Sequence, residues 1–554
     1  MKLLGLFGGG DSDKHRVADE QLLATLGYKQ QFKRAFTPLE TFGIALSIIG
    51  SLSSLSSVLI YAIPYGGPVS MVWSWAICSF FIMAIAMALA ELGSGAPTAG
   101  GLYYWTYAFS SPRWRNLLSW IVGYTNSVAN IAGMASADWG CAVMITAAAS
   151  IGTNGSFTAT LPQTFAVVVL IILTQALLAS LATAVLARLQ NFYVFLNLVL
   201  CFAVIIALPA ATPSELRNPA SFVFGNFTNL SGWSSSGFAF FLGWLAPSWS
   251  VGGFDGCIHI SEEAANAAVA VPWGMVSAVF ICCLLGWAIN VAMAFCMGPD
   301  LEAIINSPIG QPMATIFFNS FGQKGTLAVW SVVIIVQYMI GSSMMMSSSR
   351  QIFAFSRDGA LPLSRYLSKV NQRTLTPINA VILCAVCAIA LCALAFAGNA
   401  AIGAIFSLAV VAFYVTWSIP ITCRFAFTND FKPGPFTLGA FGLPVAVVAV
   451  AYMTFMNVIF LFPTAPDSDA ANMNYCIVVL GGVTVLSLSY YFFPKYGGYA
   501  WFRGPVANVG VHNEHEGERK EGKEKSETAS MSSDELKNKG NEGRAEVRAA
   551  LASE

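Results

Sequence analysis

Between Pro247 and Glu263 the chain reads PSWSVGGFDGCIHISEE. Long apolar runs flank this stretch, yet its middle holds the pair Gly252-Gly253 and then an acid, Asp255. The apolar run that contains it, 236–268, is too long for one straight crossing of a hydrocarbon core about 30 Å thick. Each glycine weakens a helix by about 1 kcal/mol relative to alanine. An aspartate at the bilayer centre costs about 2.5–3.5 kcal/mol on insertion scales. Placed together at mid-membrane, these residues predict a helix that unwinds there around a wet, protein-lined cavity.

The composition supports a membrane setting. Of 554 residues, 56% are hydrophobic and 10% charged, with mean hydropathy +0.65. Soluble domains carry about 25% charged residues. The hydropathy pattern predicts an all-α polytopic protein of about twelve transmembrane helices: 41–64, 69–91, 117–149, 162–185, 190–210, 236–268, 272–297, 325–349, 376–397, 400–426, 440–463 and 475–493. With the N-terminus in the cytoplasm, every lysine and arginine except Arg217 and Lys324 falls on the inner side, as the positive-inside rule requires. Both termini are then cytoplasmic. Three N-x-S/T sequons, at Asn154, Asn226 and Asn229, fall in outer loops and are candidate glycosylation sites.

Several function classes are excluded. Zero net charge gives no electrostatic case for nucleic acid. The 12 cysteines lie mostly inside apolar runs, where they read as small hydrophobes. The pair Cys384 and Cys387 has no second pair beside it. Of four histidines only His259 can lie at membrane depth, so a multi-histidine metal centre is ruled out. No nucleophile–base pair or phosphate loop is present, and no cofactor is expected. MKLLGLFGGG at the start is too short for a signal peptide, so the first span is expected to direct insertion.

The first span holds a counterpart of the broken stretch. Its midpoint reads GSLSSLSS, Gly50 to Ser57. Serine hydroxyls compete for backbone hydrogen bonds and stabilise an opened turn. Glycine pairs and serine faces also serve close helix packing. Two weak midpoints, five spans apart and crossing in opposite directions, point to a transporter of inverted repeats. The expected organisation is a tail over 1–36, a first repeat over 37–210, an outer loop over 211–235, and a second repeat over 236–426. Two additional helices follow over 427–505, then a disordered cytoplasmic tail over 506–554. Residues 1–36 are expected to resemble that tail, apart from a short amphipathic piece near Glu20–Tyr28. Helix ends freed at such breaks suit a ligand with both a carboxylate and an ammonium.

Other polar groups at membrane depth are candidates for coupling or gating: Asp138 in the third span, Asn197 in the fifth, Ser342 and Ser343 in the eighth, and Glu262 at the inner end of the sixth. Glu91, Glu262 and Glu263 read first as partners of Arg350 or Arg357, or as helix caps. His259 lies four residues after Asp255 and shares its helix face.

Four stretches carry a family resemblance: AELGSGAPTAGGLYYW (Ala90–Trp105), GGFDGCIHISEEAANAAVAVPWG (Gly252–Gly274), SRQIFAFSRDGALPLSRYLSKV (Ser349–Val370) and FKPGPFTLG (Phe431–Gly439). They resemble the amino acid–polyamine–organocation superfamily, in its fungal amino acid/choline branch, and look most like the permeases for 4-aminobutyrate (GABA). The resemblance spans about residues 36–505. It implies a leucine-transporter-type fold, with two inverted five-helix repeats and two extra helices. By position, Ser53, Ser54, Ser56 and Ser57 would line the first break. Gly252, Gly253, Phe254 and Asp255 would line the second, with Phe254 as a gate. Some bacterial relatives carry a coupling lysine in the fifth span. Here that span has none, so the proton-carrying group is unassigned. The implied activity is proton-coupled uptake of GABA or a related amino compound across the plasma membrane, or the vacuolar membrane. A choline or polyamine carrier is the alternative within the fold, and a nutrient receptor that signals through its tails is the alternative outside it.

Overall fold

In the computed structural model, the described residues are 12–507 without Lys33, Ala182 and 467–472. The N-terminal helix α1 (Ser12–Thr25) lies ahead of the membrane region. The first span is split into α2 (Pro38–Ile49) and α3 (Ser51–Val58). A capping box starts α2: the Thr37 hydroxyl accepts from the Glu40 N–H, and the Glu40 carboxylate accepts from the Thr37 N–H. Then come α4 (Trp75–Gly95), the short α5 (Gly101–Phe109), α6 (Arg115–Gly152), α7 (Leu161–Ala179) and α8 (Thr183–Ala211).

The second half opens with α9 (Ser236–Leu242), α10 (Leu245–Ser250) and α11 (Gly256–His259). It continues through α12 (Ala267–Cys296), α13 (Pro312–Arg357), α14 (Ile378–Cys392), α15 (Asn399–Ala426), α16 (Gly442–Ile459) and α17 (Cys476–Tyr491). Among the described residues, 10 helices are long and apolar enough to cross a membrane. The broken sixth span and the shorter α17 complete the expected set. This is the all-α, polytopic architecture that the hydropathy pattern indicates.

Helix α6 packs between α13 and α15 and is buried along most of its length, while α12 packs on α2 and α4. Helices α7 and α8 face outward. Leu177 is 71% and Ile206 70% exposed. Such apolar exposure is expected where the solvent is lipid, since helices already satisfy their own backbone.

Three element limits differ from the sequence expectation. The second half of the sixth span ends in a single 3₁₀ turn at Ser261–Glu263, and α12 begins at Ala267, ahead of Pro272. Helix α13 runs past residue 349 to Arg357, and its chain path bends at Gly322, where φ is 67°. Residues 12–36, expected to be mostly tail-like, are packed against the body: Leu23, Tyr28, Phe32 and Phe36 are buried. The Asp19 carboxylate accepts from the N–H groups of Asn266 and Ala267, capping α12. Phe36 exchanges backbone bonds with Glu263 and Ala265. The expected disordered tail lies, from residue 508 onward, outside the described residues.

Candidate functional site

The two interrupted spans meet. Helices α3 and α10 pack together, as do α2 and α11 on the side nearer α1. A Cβ placed on Gly253 would lie 2.9 Å from the Ile48 side chain, and one on Gly256 2.5 Å from it. Ile48 of α2 thus sits directly in the opening of the second break.

The breaks are built differently. In the first, one residue does the work: Gly50 adopts left-handed φ 49° and ψ 56°. That conformation costs an ordinary residue about 1–2 kcal/mol. The Ser54 hydroxyl donates back across the gap to the carbonyls of Ile49 (2.5 Å) and Gly50 (3.0 Å). The following serines are helical. Because α3 starts afresh at Ser51, its first-turn N–H groups have no helical acceptors. In the second break the helix stops at Ser250 and resumes at Gly256, with Gly253 at φ 69°.

A narrow cavity of about 20 Å³ lies at this junction. Ile48 and Ser54 contribute from the first span; Ser248, Trp249 and Gly252 from the sixth; Gly133 from α6; Ile340 and Met344 from α13. Phe413, Tyr414 and Trp417 of α15 close the wall. Among the described residues, no charged side chain lines it. The Trp417 indole N–H is buried without a hydrogen-bond partner and is a free donor beside the cavity. Phe254 is fully buried and packs on Trp417 at 4.7 Å between ring centroids; Trp417 stacks on Phe413 at 5.1 Å. On the opposite side, Trp249 meets Phe406 at 4.9 Å and Phe406 meets Tyr61 at 5.5 Å. Beyond that aromatic layer a wider pocket of about 400 Å³ is lined by Ser56, Ser57, Trp139 and Gln311.

The face that carries α1 is closed by ion pairs. Arg357 grips Glu262 with two bonds of 2.9 Å, and Glu262 also accepts from the Ala99 N–H at 3.1 Å. Arg350 donates to Glu263 at 2.8 Å. Glu91 pairs with Arg424. The first two pairings match the expectation for these acids; Glu91 instead finds an arginine of α15.

The sequence-derived candidates separate into groups. Ser54 and Gly252 line the cavity, and Gly253 and Phe254 border it. Ser53 donates to the Val333 carbonyl of α13 at 3.1 Å. Ser56 and Ser57 donate to the Ser53 carbonyl within their own helix. Asp255 is fully buried but absent from the cavity wall; it faces His259. Asp138 lies elsewhere, accepting from Gln175 at 2.8 Å against Gly341. Asn197 accepts from the Cys201 thiol. Ser343 meets Ser47 of α2 at 2.5 Å, with Gln190 of α8 beside them, while Ser342 lies beside Tyr193. Asn154 sits exposed in a turn, and Asn226 and Asn229 are part-buried in the loop before α9.

Sequence reasoning missed the α15 aromatics. The signal is FYVTW, Phe413–Trp417, whose spacing puts Phe413 and Trp417 on one helix face. An apolar helix does not reveal which of its faces borders a cavity.

Comparison with known proteins agrees with this geometry. A family model described as amino acid permease matches residues 36–483. An amino-acid permease of Schizosaccharomyces pombe is 38% identical over 89% of this chain and 90% of its own. A GABA-specific permease of Saccharomyces cerevisiae is 37% identical over 89% of this chain and 86% of its own. Amino-acid permease 2 of Neurospora crassa is 35% identical over 88% and 89%. With two broken helices enclosing a small cavity and this likeness running through nearly all the membrane region, the chain belongs to the amino acid permease family and is an integral membrane transporter rather than an enzyme.

Proposed function

We propose that the protein is a proton-coupled symporter for GABA or a closely related amino acid, working by alternating access in the plasma membrane with both termini in the cytoplasm. The observation that carries the substrate reading is the cavity wall, which holds hydroxyls, an indole N–H and aromatic faces but no charged side chain. A buried site without a counter-charge disfavours a ligand of net charge. A zwitterion brings its own compensation, and the unpartnered Trp417 indole N–H suits its carboxylate. The relative named a GABA-specific permease supports the same reading.

The two closures support alternating access. The aromatic layer of Trp249, Phe406 and Tyr61 is thin. The opposite closure is thick, combining Phe254–Trp417 with three ion pairs. Opening the first admits solute; opening the second requires α11 to move about the flexible Gly252-Gly253 pair.

One observation favours a second reading, transport of a quaternary amine such as choline. Trp249, Phe413, Tyr414 and Trp417 present several rings to one small space, as in aromatic cages for ammonium groups. Purified protein in vesicles separates the two. Saturable uptake of radiolabelled GABA, resistant to equimolar choline or putrescine, is expected. Choline uptake that GABA fails to inhibit would replace the zwitterion reading.

A further inference from the structure

The second break holds an acid that the cavity does not use. Both oxygens of Asp255 are buried without a hydrogen-bond partner. The nearest ionisable group is His259, whose Nε2 lies 3.7 Å from Oδ2. The surroundings define the histidine's state. Its Nδ1 is 2.9 Å from the Ala99 carbonyl, which can only accept, so Nδ1 carries a hydrogen. Asn130 donates to the Asn126 side-chain oxygen at 2.9 Å, which leaves the Asn126 amide N–H₂ directed at His259 Nε2, 3.2 Å away. In that arrangement Nε2 is an acceptor, facing a carboxylate oxygen that is also an acceptor.

Two facing acceptors, fully buried, are stable together only when a proton is present. An isolated buried carboxylate is costly. One proton resolves the conflict, either on Asp255 as a neutral acid or on His259 as an imidazolium with the Asn126 amide reversed. Among the described residues no other charge substitutes for it. On α13, Arg350 and Arg357 are engaged by Glu263 and Glu262, and Ser347 donates to the Gly256 carbonyl. On α2, Glu40 is held by Thr37 and Asn191. Helix α12 carries no acid or base beyond cysteines, and Cys257 is the nearest thiol on the segment itself. From α6 the groups that face His259 are the neutral amides Asn126 and Asn130.

We propose that Asp255 and His259 together are the seat of the coupling proton. This rests on the symport reading above and gives it a site. The pair sits where α11, which must swing to open the α1 face, rests against α6 and the loop before α5. Holding one proton, the pair keeps α11 docked. Moving α11 separates His259 from Ala99 and Asn126, exposes the carboxylate to water and lets the proton leave. Re-docking then requires a new proton. The covalent framework is unchanged throughout; one proton binds at the pair and one departs from it.

The test uses the full chain in proteoliposomes, with radiolabelled GABA or whichever of GABA, choline and putrescine the wild-type protein accumulates most. For Asp255→Asn, accumulation driven by an inward acid gradient should fall at least about tenfold, while counterflow at equal pH stays within about threefold; a tenfold change corresponds to about 1.4 kcal/mol. Its counterflow should also lose its dependence on pH. His259→Gln should move the pH midpoint of counterflow. Wild-type protein indifferent to the gradient would overturn proton coupling and this assignment with it. A responsive wild type with an equally responsive Asp255→Asn would overturn the assignment alone. Loss of solute binding in Asp255→Asn would make the carboxylate a substrate ligand and equally overturn it. Should that variant not fold, His259→Gln decides: an unmoved midpoint contradicts the proposal.

Discussion

The first break turns on one residue and the second on five. At Gly50 a single left-handed step separates two helices, and Ser54 immediately re-covers the freed carbonyls. From Val251 to Asp255 the sixth span stays non-helical, and it ends on a carboxylate with no hydrogen bond. In the cycle proposed above, the first break serves as a fixed ligand platform, locally satisfied, and the second as a hinge with an unmet electrostatic demand. Equivalent depth in two opposed helices therefore does not imply equivalent roles: one half can hold the solute while the other moves.

Substituting the two glycines strains this comparison most. Valine at Gly50 must adopt φ near 49° and would meet the Ile340 side chain; a left-handed residue costs about 1–2 kcal/mol before any clash. Uptake per molecule at the cell surface should fall more than about tenfold. Gly50→Asn, a residue that tolerates this conformation, should retain more activity than Gly50→Val. Gly253→Val should lose less than Gly50→Val, because neighbouring non-helical residues share the distortion. Equal losses at both sites would erase the distinction between platform and hinge.

Breaking the closure beside the hinge comes next. Glu262→Gln removes one partner of a buried ion pair, a change that typically costs about 3–5 kcal/mol. A lower melting temperature is expected, together with greater reactivity of cysteines introduced along the α1 face. Removing Arg357 as well should recover part of the loss, since its guanidinium is then no longer buried without Glu262.

Hydroxyl deletions at the platform should be smaller and unequal. Ser54→Ala forfeits a buried hydrogen bond of about 1 kcal/mol beside the solute, raising KM severalfold. Ser56→Ala and Ser57→Ala remove bonds made within their own helix and should stay within about 0.5 kcal/mol in stability. A larger KM effect at Ser57 than at Ser54 would move the platform outward.

The smallest expected effect concerns Asp358, beyond the end of α13. It accepts from Tyr28 at 2.9 Å, Tyr103 at 2.7 Å and the Val506 N–H at 3.2 Å, tying the segments around Tyr28 and Val506 to the α1 face. Burial pushes its carboxyl up to about 6, against the opposing pull of Arg357 and the tyrosine hydroxyls. An acid raised in the docked state favours docking while protonated. Its contribution is therefore full below the ordinary carboxylate range and is lost as pH rises through about 6. Hydrogen exchange over residues 19–36 should be slower at pH 5 than at pH 7 once corrected for intrinsic rates. Asp358→Asn should flatten that difference.

Much of this architecture was legible in the sequence. Apolar length gave the spans, because in lipid only backbone-satisfied helices persist. The Gly252-Gly253 pair marked the second break through propensity alone. The serine run misdirected attention: five hydroxyls looked like an opened turn, yet serine bonds readily to the preceding turn of a helix, and the break needed only Gly50. Asp255 was legible as unusual but its direction was not, since a non-helical segment fixes no side-chain face. The packed segment 12–36 was hidden because its contacts, Asp19 to α12 and Tyr28 to Asp358, join residues hundreds of positions apart. The α15 aromatics look, in a sequence, like any lipid-facing side chains.

The central claim is that both breaks border one solute. Ser54→Cys and Ser248→Cys are near-isosteric substitutions in the cavity wall, one from each interrupted span. The rate of thiol modification at each position, with and without saturating GABA, measures the claim directly. Protection at both positions, with the same GABA concentration dependence, is the predicted result. Protection at one position only, or at neither while uptake persists, would contradict it.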